Sequence, residues 1–301
     1  PMTDIILRAV IPVAFIIFIG YLAGRVLKPD VSSISQITVY VFAPALVMDS
    51  LYRTKLSTAN VVQILLCFGV LTLLLYGFVA LIAKLYHLPT ATYKSLLATT
   101  ISPNNGNMGL PIADFALGFP GLERAIIYMI GSSILLFGIL PALLKGKGIG
   151  YGVRLILKLP LIWAMLAGLA LRFLRISLPY GLDTSLEQLG RAAIPVALII
   201  LGMQLASTGV SIGTYELLAT PLRLFLAPLL SGLVGWYLGL RELDLQVFIL
   251  QSAMPTAVNS VVLVTEFGGD VAKVAQTVVI TTLLSFLTLP LVLTVLSLKL
   301  V

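Results

Sequence analysis

Two polar stretches centred on proline contain the residues whose types and spacing are best suited to binding a ligand. The first, residues 102–107, reads Ser-Pro-Asn-Asn-Gly-Asn, and the second, residues 254–259, reads Met-Pro-Thr-Ala-Val-Asn. Each interrupts a long apolar segment. Proline removes a backbone hydrogen-bond donor and clashes with the preceding helical turn, and asparagine and glycine are weak helix formers. The pattern predicts two helices that break partway along their length.

A broken helix exposes two opposed ends, and each end attracts a different kind of ligand. The second half presents unpaired N–H groups and a partial positive charge, which favour an anion. The first half presents unpaired carbonyl groups, which favour a cation or a hydrogen-bond donor. Two broken helices that cross would bring these ends together, with asparagine amides as directional donors. We therefore predict a site for a small carboxylate. The predicted substrate-binding residues are Asn104, Asn105, Gly106, Asn107 and Asn259.

Proline and glycine in membrane helices also produce kinks or close packing without any ligand, and this alternative stays open. It is weaker for residues 102–107, where six breaker or polar residues cluster, than for residues 254–259, which contain one proline and no glycine. Other prolines are interpreted mainly as kinks: Pro12, Pro44, Pro141, Pro160, Pro195, Pro221, Pro228 and Pro290.

The chain offers little for catalysis or metal binding. It has one cysteine, Cys67, inside an apolar run, and one histidine, His87, at the end of an apolar segment. One thiol and one imidazole provide neither a metal cluster nor a catalytic triad. No glycine-rich phosphate loop of the Walker type is present. We predict no enzyme activity, no metal, no cofactor and no direct coupling to ATP hydrolysis.

Acidic residues within apolar segments are costly in lipid and are candidates for ion coupling. Asp49, Asp114 and Glu266 are such acids, and each is a candidate for proton uptake. The alternative is that each lies near a membrane surface, solvated or ion-paired. A sodium site needs several oxygens at the helix break, for which Ser102, Asn107 and Gln251 are candidates. H+ is favoured over Na+ as the coupling ion, and a uniport without a coupling ion stays open.

These residues belong to a chain far more apolar than a soluble domain. Of its 301 residues, 59% are hydrophobic and 10% charged, with a mean hydropathy of +1.09, whereas soluble domains are about 25% charged. The apolar runs are continuous and lack the alternation of a membrane barrel. The predicted fold class is an all-α integral membrane protein with ten transmembrane helices. The predicted spans are 5–27, 32–51, 60–86, 93–117, 123–144, 152–173, 185–206, 215–239, 245–268 and 271–298.

The net charge of +7 is attributed to loops that set the topology and contact lipid headgroups, and not to nucleic-acid binding. The loop 145–151, with Lys145 and Lys147, is predicted to be cytoplasmic by the positive-inside rule. Five preceding spans then place the N-terminus outside. We expect a multi-pass protein of the cytoplasmic (inner) membrane, with lipid as a partner.

The central loop divides the chain into two halves of five spans, residues 1–150 and 151–301. An odd number of spans gives similar halves opposite orientations, which is typical of inverted repeats in secondary transporters. Shifting the sequence by 152 residues places a proline on a proline, an asparagine on an asparagine and an acid on an acid. The aligned pairs are Pro103 with Pro255, Asn107 with Asn259, and Asp114 with Glu266.

The segment Asn105-Gly106-Asn107-Met108-Gly109-Leu110-Pro111 resembles the Asn-x-Gly-Asn-x-Gly-Leu-Pro signature of the auxin efflux carrier family of membrane transporters. Residues 254–259 resemble its counterpart in the second half. The resemblance extends over nearly the whole chain. Because the long hydrophilic central loop of the plant carriers is lacking, the chain resembles a bacterial-type member.

The resemblance implies a fold related to that of bile acid/sodium symporters: ten helices in two inverted five-helix repeats, with crossed, broken helices 4 and 9. Pro103, Asn104, Asn105 and Pro255 would then be the crossover residues. It also implies elevator-type transport of small organic carboxylates, auxin-like or malate- or malonate-like. Helices 1, 2, 6 and 7 would form a scaffold, through which we expect a homodimer. Helices 3–5 and 8–10 would form the moving transport unit.

We therefore predict a secondary transporter of small organic carboxylate anions. The alternative is a channel, a passive uniporter or a membrane sensor with the same fold. An intramembrane enzyme is disfavoured because the chain lacks a nucleophile, base or metal set within its spans.

Overall fold

The computed structural model describes residues 2–144 and 148–297, and within these residues the chain folds as helices joined by short connections. Lys145 and Lys147 of the predicted cytoplasmic loop lie outside the described residues. The α-helices, numbered in chain order, are α1 Met2–Val26, α2 Val31–Ile37, α3 Ala43–Arg53, α4 Thr58–Leu85, α5 Thr90–Ile101, α6 Leu110–Ile134, α7 Leu140–Leu144, α8 Ile149–Ile156, α9 Pro160–Phe173, α10 Leu182–Ser207, α11 Thr214–Pro221, α12 Ala227–Tyr237, α13 Glu242–Ser252, α14 Asn259–Phe267 and α15 Val271–Ser297.

The described helices are those of a multi-pass membrane protein. Seven continuous helical segments are long and apolar enough to cross a membrane, and α8 with α9 forms an eighth if that bent pair is one span. Large apolar side chains face outward on several of these helices. Leu66, Leu73, Leu229 and Leu291 have exposed fractions of 63–71%, a surface that suits lipid and not water.

Three predicted spans differ from the structure in their continuity. The predicted span 152–173 is bent, because α8 ends at Ile156, Pro160 begins α9, and the two axes make an angle of 71°. The predicted spans 93–117 and 123–144 are joined by the helix α6. Its only non-helical residue is Gly118, whose φ of 65° permits a sharp kink before Pro120.

Within residues 2–144 and 148–297, four five-residue π-helical turns interrupt the α-helices, and a proline lies two residues after the end of each. The missing N–H of a proline and the clash of its ring with the preceding turn favour such a local widening. Three of these four prolines, Pro44, Pro141 and Pro228, are among those interpreted from the sequence as kinks. Each of the three therefore acts through a π turn. The turns and their prolines are Thr38–Phe42 with Pro44, Asn105–Gly109 with Pro111, Leu135–Ile139 with Pro141, and Leu222–Leu226 with Pro228.

Helix α1 packs on α10, α10 packs on α3, and α3 packs on α9. Helix α1 approaches α10 so closely that a Cβ at Gly20 would lie 2.3 Å from the Ile199 carbonyl oxygen, and one at Gly202 would lie 2.1 Å from the Ile17 carbonyl oxygen. Only glycine permits this contact, in which two backbones pack directly.

An ion-pair chain joins α3 to α10 at one end of this group. Arg53 lies 2.8 Å from Asp49 and 3.2 Å from Glu187, and Glu187 lies 2.8 Å from Arg191. Exposed pairs of this kind contribute little individually, so apolar and backbone packing hold the two helices together.

Candidate functional site

The two proline stretches meet in the structure. The first half-helices, α5 and α13, end at Ile101 and Ser252, and the second halves begin at Asn105 and Asn259. Between them the two backbones run antiparallel, with a bridge between Pro103 and Thr256. Two backbone bonds of 2.8 Å hold the crossing: Asn104 N–H to the Pro255 carbonyl, and Ala257 N–H to the Ser102 carbonyl. Each break therefore satisfies polar groups that the other exposes, which lipid cannot do.

Side chains reinforce the crossing from both segments. The Thr256 hydroxyl donates to the Thr99 carbonyl at 3.0 Å, which ties the second break to the last turn of α5. The Thr256 backbone N–H donates in turn to the Thr281 hydroxyl of α15 at 3.1 Å. Threonine is suited to both contacts because its hydroxyl donates and accepts.

Asn105 and Gln251 form a second link across the crossing. The Asn105 Nδ2 donates to the Gln251 side-chain oxygen at 3.0 Å and to its carbonyl at 3.2 Å. The Gln251 Nε2 donates to the Gly109 carbonyl at 2.9 Å. Gln251 thus uses both side-chain groups on protein partners. The Asn105 amide nitrogen is likewise engaged, so Asn105 positions the site and is not a free donor toward a ligand.

A cavity of about 330 Å³ opens beside the crossing. All five residues predicted to bind substrate line it, together with Pro103. Pro255 does not line it, and contributes through its carbonyl bond to Asn104. The lining residues are Thr38, Val39, Ala43, Leu46, Pro103, Asn104, Asn105, Gly106, Asn107, Leu110, Met129, Ser132, Ser133, Leu136, Phe137, Leu159, Pro160, Leu161, Ala193, Ile194, Ala197, Ala257, Val258 and Asn259.

Asparagine is concentrated at this cavity. The chain contains five asparagines, and all except Asn60 line the cavity. Three of the four π turns also contribute lining residues. Widened turns of this type frequently occur at functional sites, because they change the direction of side chains and leave backbone groups unpaired.

The cavity favours a negative charge although no charged residue lines it. Both second half-helices begin at its wall, with Asn105 and Asn259, and helix N-termini carry a partial positive charge and unpaired N–H groups. The Asn104 side chain is 4% exposed, and its Nδ2 has no hydrogen-bond partner among the described residues. A buried amide without a partner costs free energy, and an anion in the cavity would relieve that cost.

The candidate ion-coupling acids lie away from the cavity wall. Asp49 is buried but paired with Arg53 in the ion-pair chain. Asp114 is half-buried on α6, and the positive charge of Arg191 attracts its carboxylate. Glu266 is exposed near the end of α14. None of these three carboxylates is placed to touch a ligand bound between the two breaks.

Of the three candidate sodium ligands, Asn107 lines the cavity, while the Ser102 backbone and the Gln251 side chain take part in the crossing. The Ser102 carbonyl accepts from Ala257, while its buried hydroxyl has no partner within the described residues. Gln251 is bonded to Asn105 and Gly109. These contacts hold the crossing together. The carbonyl groups at the C-terminal ends of the first half-helices are bound by another residue.

That residue is Arg223, which the sequence analysis missed. Its guanidinium donates to the carbonyls of Thr100 and Ser252, near the ends of α5 and α13. A signal was available: Arg223 is the only charged residue between Leu217 and Leu240, an apolar run long enough to cross a membrane. An ionisable residue in such a position indicates a function by default.

The helical fold and the internal cavity at two helix breaks define a class, that of multi-pass membrane transport proteins. The sequence matches the family described as membrane transport protein twice, over residues 5–153 and 149–293. The chain belongs to this family, which confirms both the resemblance to auxin efflux carriers and the expectation of a transporter that is not an enzyme.

Three relatives cover nearly the whole chain. The chain is 30% identical to an uncharacterized transporter of Methanothermobacter thermautotrophicus over 293 residues, 94% of this chain and 96% of that protein. It is 24% identical to an uncharacterized transporter of Methanocaldococcus jannaschii over 297 residues, 94% and 96% of the two chains. It is 26% identical to a Rhizobium meliloti protein named "Putative malonate transporter" over 294 residues, 93% and 92% of the two chains.

Proposed function

We propose that this transporter carries small organic carboxylate anions across the cytoplasmic membrane, and that it binds them in the cavity beside the helix crossing. The observation that carries the proposal is the buried amide nitrogen of Asn104, which lies between two helix N-termini and has no partner among the described residues. The substrate carboxylate accepts from this amide and from the backbone N–H groups of Gly106 and Asn107, since those of Asn104 and Asn105 already donate to the Pro255 and Pro103 carbonyls. Asn259 completes the site from the second break.

Small dicarboxylates of the malonate or malate type are the substrates we propose first. The cavity of about 330 Å³ lies at the small end of the usual range for ligand sites, about 300–1,000 Å³. The name of the Rhizobium meliloti relative points to the same class. Auxin-like aromatic acids are larger and form the comparison arm of a substrate screen.

We further propose that residues 1–150 and 151–301 are inverted repeats of five spans each, ten in all. The two family matches, over residues 5–153 and 149–293, support this division. The two helix breaks also occupy corresponding places in the two halves. An odd number of spans in each half requires the opposite orientation in the membrane.

Transport is proposed to follow an elevator-type movement of the crossing against a scaffold of α1, α3, α9 and α10. The direct backbone contact of α1 with α10 at Gly20 and Gly202 supports a rigid scaffold. The cavity lies between the two parts, since it is lined by Ala193 and Ile194 of α10 as well as by the crossing. A site between a fixed and a moving unit is suited to alternating exposure.

We propose that the cavity faces the cytoplasm in this conformation. It is lined by Leu159 and Pro160, which follow the central positive loop, and such loops are retained inside. Replacing the buried Cys67 with Ala gives a background for single-cysteine labelling. An impermeant maleimide added outside cells is expected to label Lys55→Cys and to spare Ser33→Cys, and the reverse pattern would contradict the orientation.

We propose H+ as the coupling ion, with Asp114 as its binding residue. Asp114 lies on α6, directly beyond the first break, and no hydrogen bond or ion pair of its carboxylate is found among the described residues. It therefore differs from Asp49, whose carboxylate is held by Arg53.

Substrate counterflow into proteoliposomes tests the proposed function. Liposomes containing the purified protein and loaded with unlabelled malonate are expected to accumulate labelled malonate. Asn104→Ala is expected to reduce the initial rate by about tenfold or more, since a hydrogen bond to a charged group contributes about 1.5–3 kcal/mol. The backbone bond of Asn104 to Pro255 survives this change, so the crossing stays intact.

The matched control is Asn60→Ala. Asn60 is the one asparagine outside the two motifs, and it bonds to Asp244 at the edge of the molecule. Counterflow by Asn60→Ala is expected to stay near the wild-type rate. Equal counterflow by Asn104→Ala and wild-type protein would refute the proposed site, and no counterflow of any small carboxylate by the wild-type protein would refute the proposed substrate class.

A further inference from the structure

Arg223 is a buried cation that a π-helical turn directs at the helix crossing. It lies in the turn Leu222–Leu226, between α11 and α12, and its side chain is 1% exposed. The proline that accompanies this turn is Pro228. A charged group buried at membrane depth is costly unless protein groups replace its hydration, so the partners of the guanidinium identify its role.

The guanidinium binds the C-terminal ends of both first half-helices. Its Nη1 donates to the Thr100 carbonyl near the end of α5, and its Nη2 donates to the Ser252 carbonyl at the end of α13. Its Nε has no partner among the described residues. Within that part of the chain no carboxylate lies within ion-pair distance. The ionisable neighbour is Tyr128, whose hydroxyl contacts the Ser252 hydroxyl at 2.9 Å.

The charge of Arg223 is balanced by helix ends and not by an acid. Each helix C-terminus carries a partial charge of about −0.5, so the ends of α5 and α13 together present about −1. The guanidinium supplies +1 and stays protonated in proteins. In transporters with broken helices, such carbonyl ends and half-helix C-termini coordinate a mobile cation, usually Na+ or H+.

We propose that Arg223 is a built-in counter-cation, which occupies the place at the crossing where a carrier of this construction would otherwise bind a metal cation. Among the described residues, the hydrogen bonds of Arg223 go to Thr100 and Ser252, neither of which lines the cavity, so Arg223 acts as a positioning residue. It neutralises the two C-terminal ends permanently, while the N-terminal ends at Asn105 and Asn259 keep their partial positive charge. The crossing as a whole then presents a positive field to the cavity in every step of transport.

Two consequences follow, and the second rests on the proposed carboxylate transport. First, the wild-type protein has no Na+ site at the crossing, so Na+ does not stabilise its fold. Second, carboxylate binding is independent of Na+. A coupling ion of the usual strength changes the affinity for its partner ligand by about 5- to 150-fold, and we expect less than a twofold change here.

The wild-type protein provides the first test, which requires no variant. Its thermal unfolding in detergent and its malonate counterflow are measured in sodium, potassium and choline chloride at equal ionic strength. Both are expected to be the same in the three salts. A rise in melting temperature specific to Na+, or counterflow that requires Na+, would overturn the proposal.

Substitution of Arg223 provides the second test. Arg223→Ala leaves the two carbonyl ends without a cation, so the melting temperature of the variant is expected to fall. Millimolar guanidinium or Na+ is expected to restore it. These concentrations are far below the molar guanidinium that unfolds proteins. Arg172→Ala is the matched control, because Arg172 also donates to a backbone carbonyl, that of Leu56 at 3.0 Å, but near the membrane surface. It is expected to show no cation-specific recovery.

The outcomes separate this inference from the proposed function. Malonate counterflow that needs Na+ overturns the role of Arg223 and leaves the carboxylate site standing. Absence of any carboxylate transport, with a melting temperature indifferent to Na+, overturns the proposed function and leaves Arg223 as counter-cation. If Arg223→Ala does not fold, Arg223→Lys is tested instead, because it keeps the positive charge. A Lys variant that does not fold would contradict a role for the charge. A Lys variant that folds and whose melting temperature is the same with and without Na+ would support it.

Discussion

The side chain of Gln251 lies so close to Gly109 that a methyl group added at position 109 would displace it. The Gly109→Ala variant therefore tests the crossing directly. A Cβ at position 109 would lie 2.2 Å from the Gln251 side-chain oxygen. That oxygen accepts from the Asn105 amide at 3.0 Å. To reach a normal contact it must move by roughly 1 Å, which takes the bond beyond the usual 2.7–3.2 Å. Gly109→Ala therefore disconnects Asn105 from Gln251.

The expected loss of stability is about 1–3 kcal/mol, the usual cost of overpacking a filled interior. The buried Asn105 amide keeps its longer bond to the Gln251 carbonyl, so the cost stays within that range. The matched control is Gly106→Ala, in the same π turn. Its Cβ would lie 3.8 Å from the nearest atom, the Met129 sulfur, and replacing a helical glycine with alanine gains about 0.5–1 kcal/mol.

Thermal unfolding of both variants in detergent, followed by circular dichroism, measures this difference. Gly109→Ala is expected to melt several degrees below the wild-type protein, and Gly106→Ala at or slightly above it. The reasoning is refuted if Gly109→Ala melts with or above Gly106→Ala, because Gln251 would then be free to move away without loss.

Three further predictions concern other parts of the molecule. Thr256→Val removes the hydroxyl that donates to the Thr99 carbonyl, and it is expected to lower the free energy of unfolding by about 1 kcal/mol, measured by denaturant titration. Asp114→Asn is expected to weaken the pH dependence of malonate counterflow relative to the wild-type protein, whereas an unchanged pH profile would exclude Asp114 as the proton site. The Lys273 backbone amide donates to Asp270 and lowers the pKa of that carboxyl below its ordinary 3.8. The stability that the Asp270 carboxylate contributes is therefore present above pH 3.8 and is lost as pH falls through the folded-state pKa. On acidification below pH 3.8, Asp270→Asn is expected to lose less stability than the wild-type protein.

Much of the helix layout was predictable because proline and glycine act locally. The predicted breaks at residues 102–107 and 254–259 lie where α5 ends at Ile101 and α13 ends at Ser252. The kink predicted at Pro160 is confirmed by the 71° bend between α8 and α9, but the size of that bend was not predicted. Its angle depends on packing of α8 and α9 against other helices, which a single sequence does not specify.

The side-chain partners at the site were less accessible to sequence reasoning. Asn104 and Asn105 are adjacent and chemically identical, yet only Asn105 is held by Gln251, 146 residues away. That distinction arises from the antiparallel register of the two breaks. Arg223 was accessible in principle, as a lone charge in an apolar run, but its contact with Thr100 and Ser252 depends on the π turn before Pro228.

The most direct test of the account is the position of a bound carboxylate. Crystals of the wild-type protein soaked with bromomalonate, collected at the bromine absorption edge, would locate the ligand by anomalous scattering. We expect one strong peak inside the cavity, within contact distance of Asn104, Gly106 and Asn259, and its loss in Asn104→Ala crystals. A peak outside this cavity, or an equally strong peak in the variant, would contradict the proposed site.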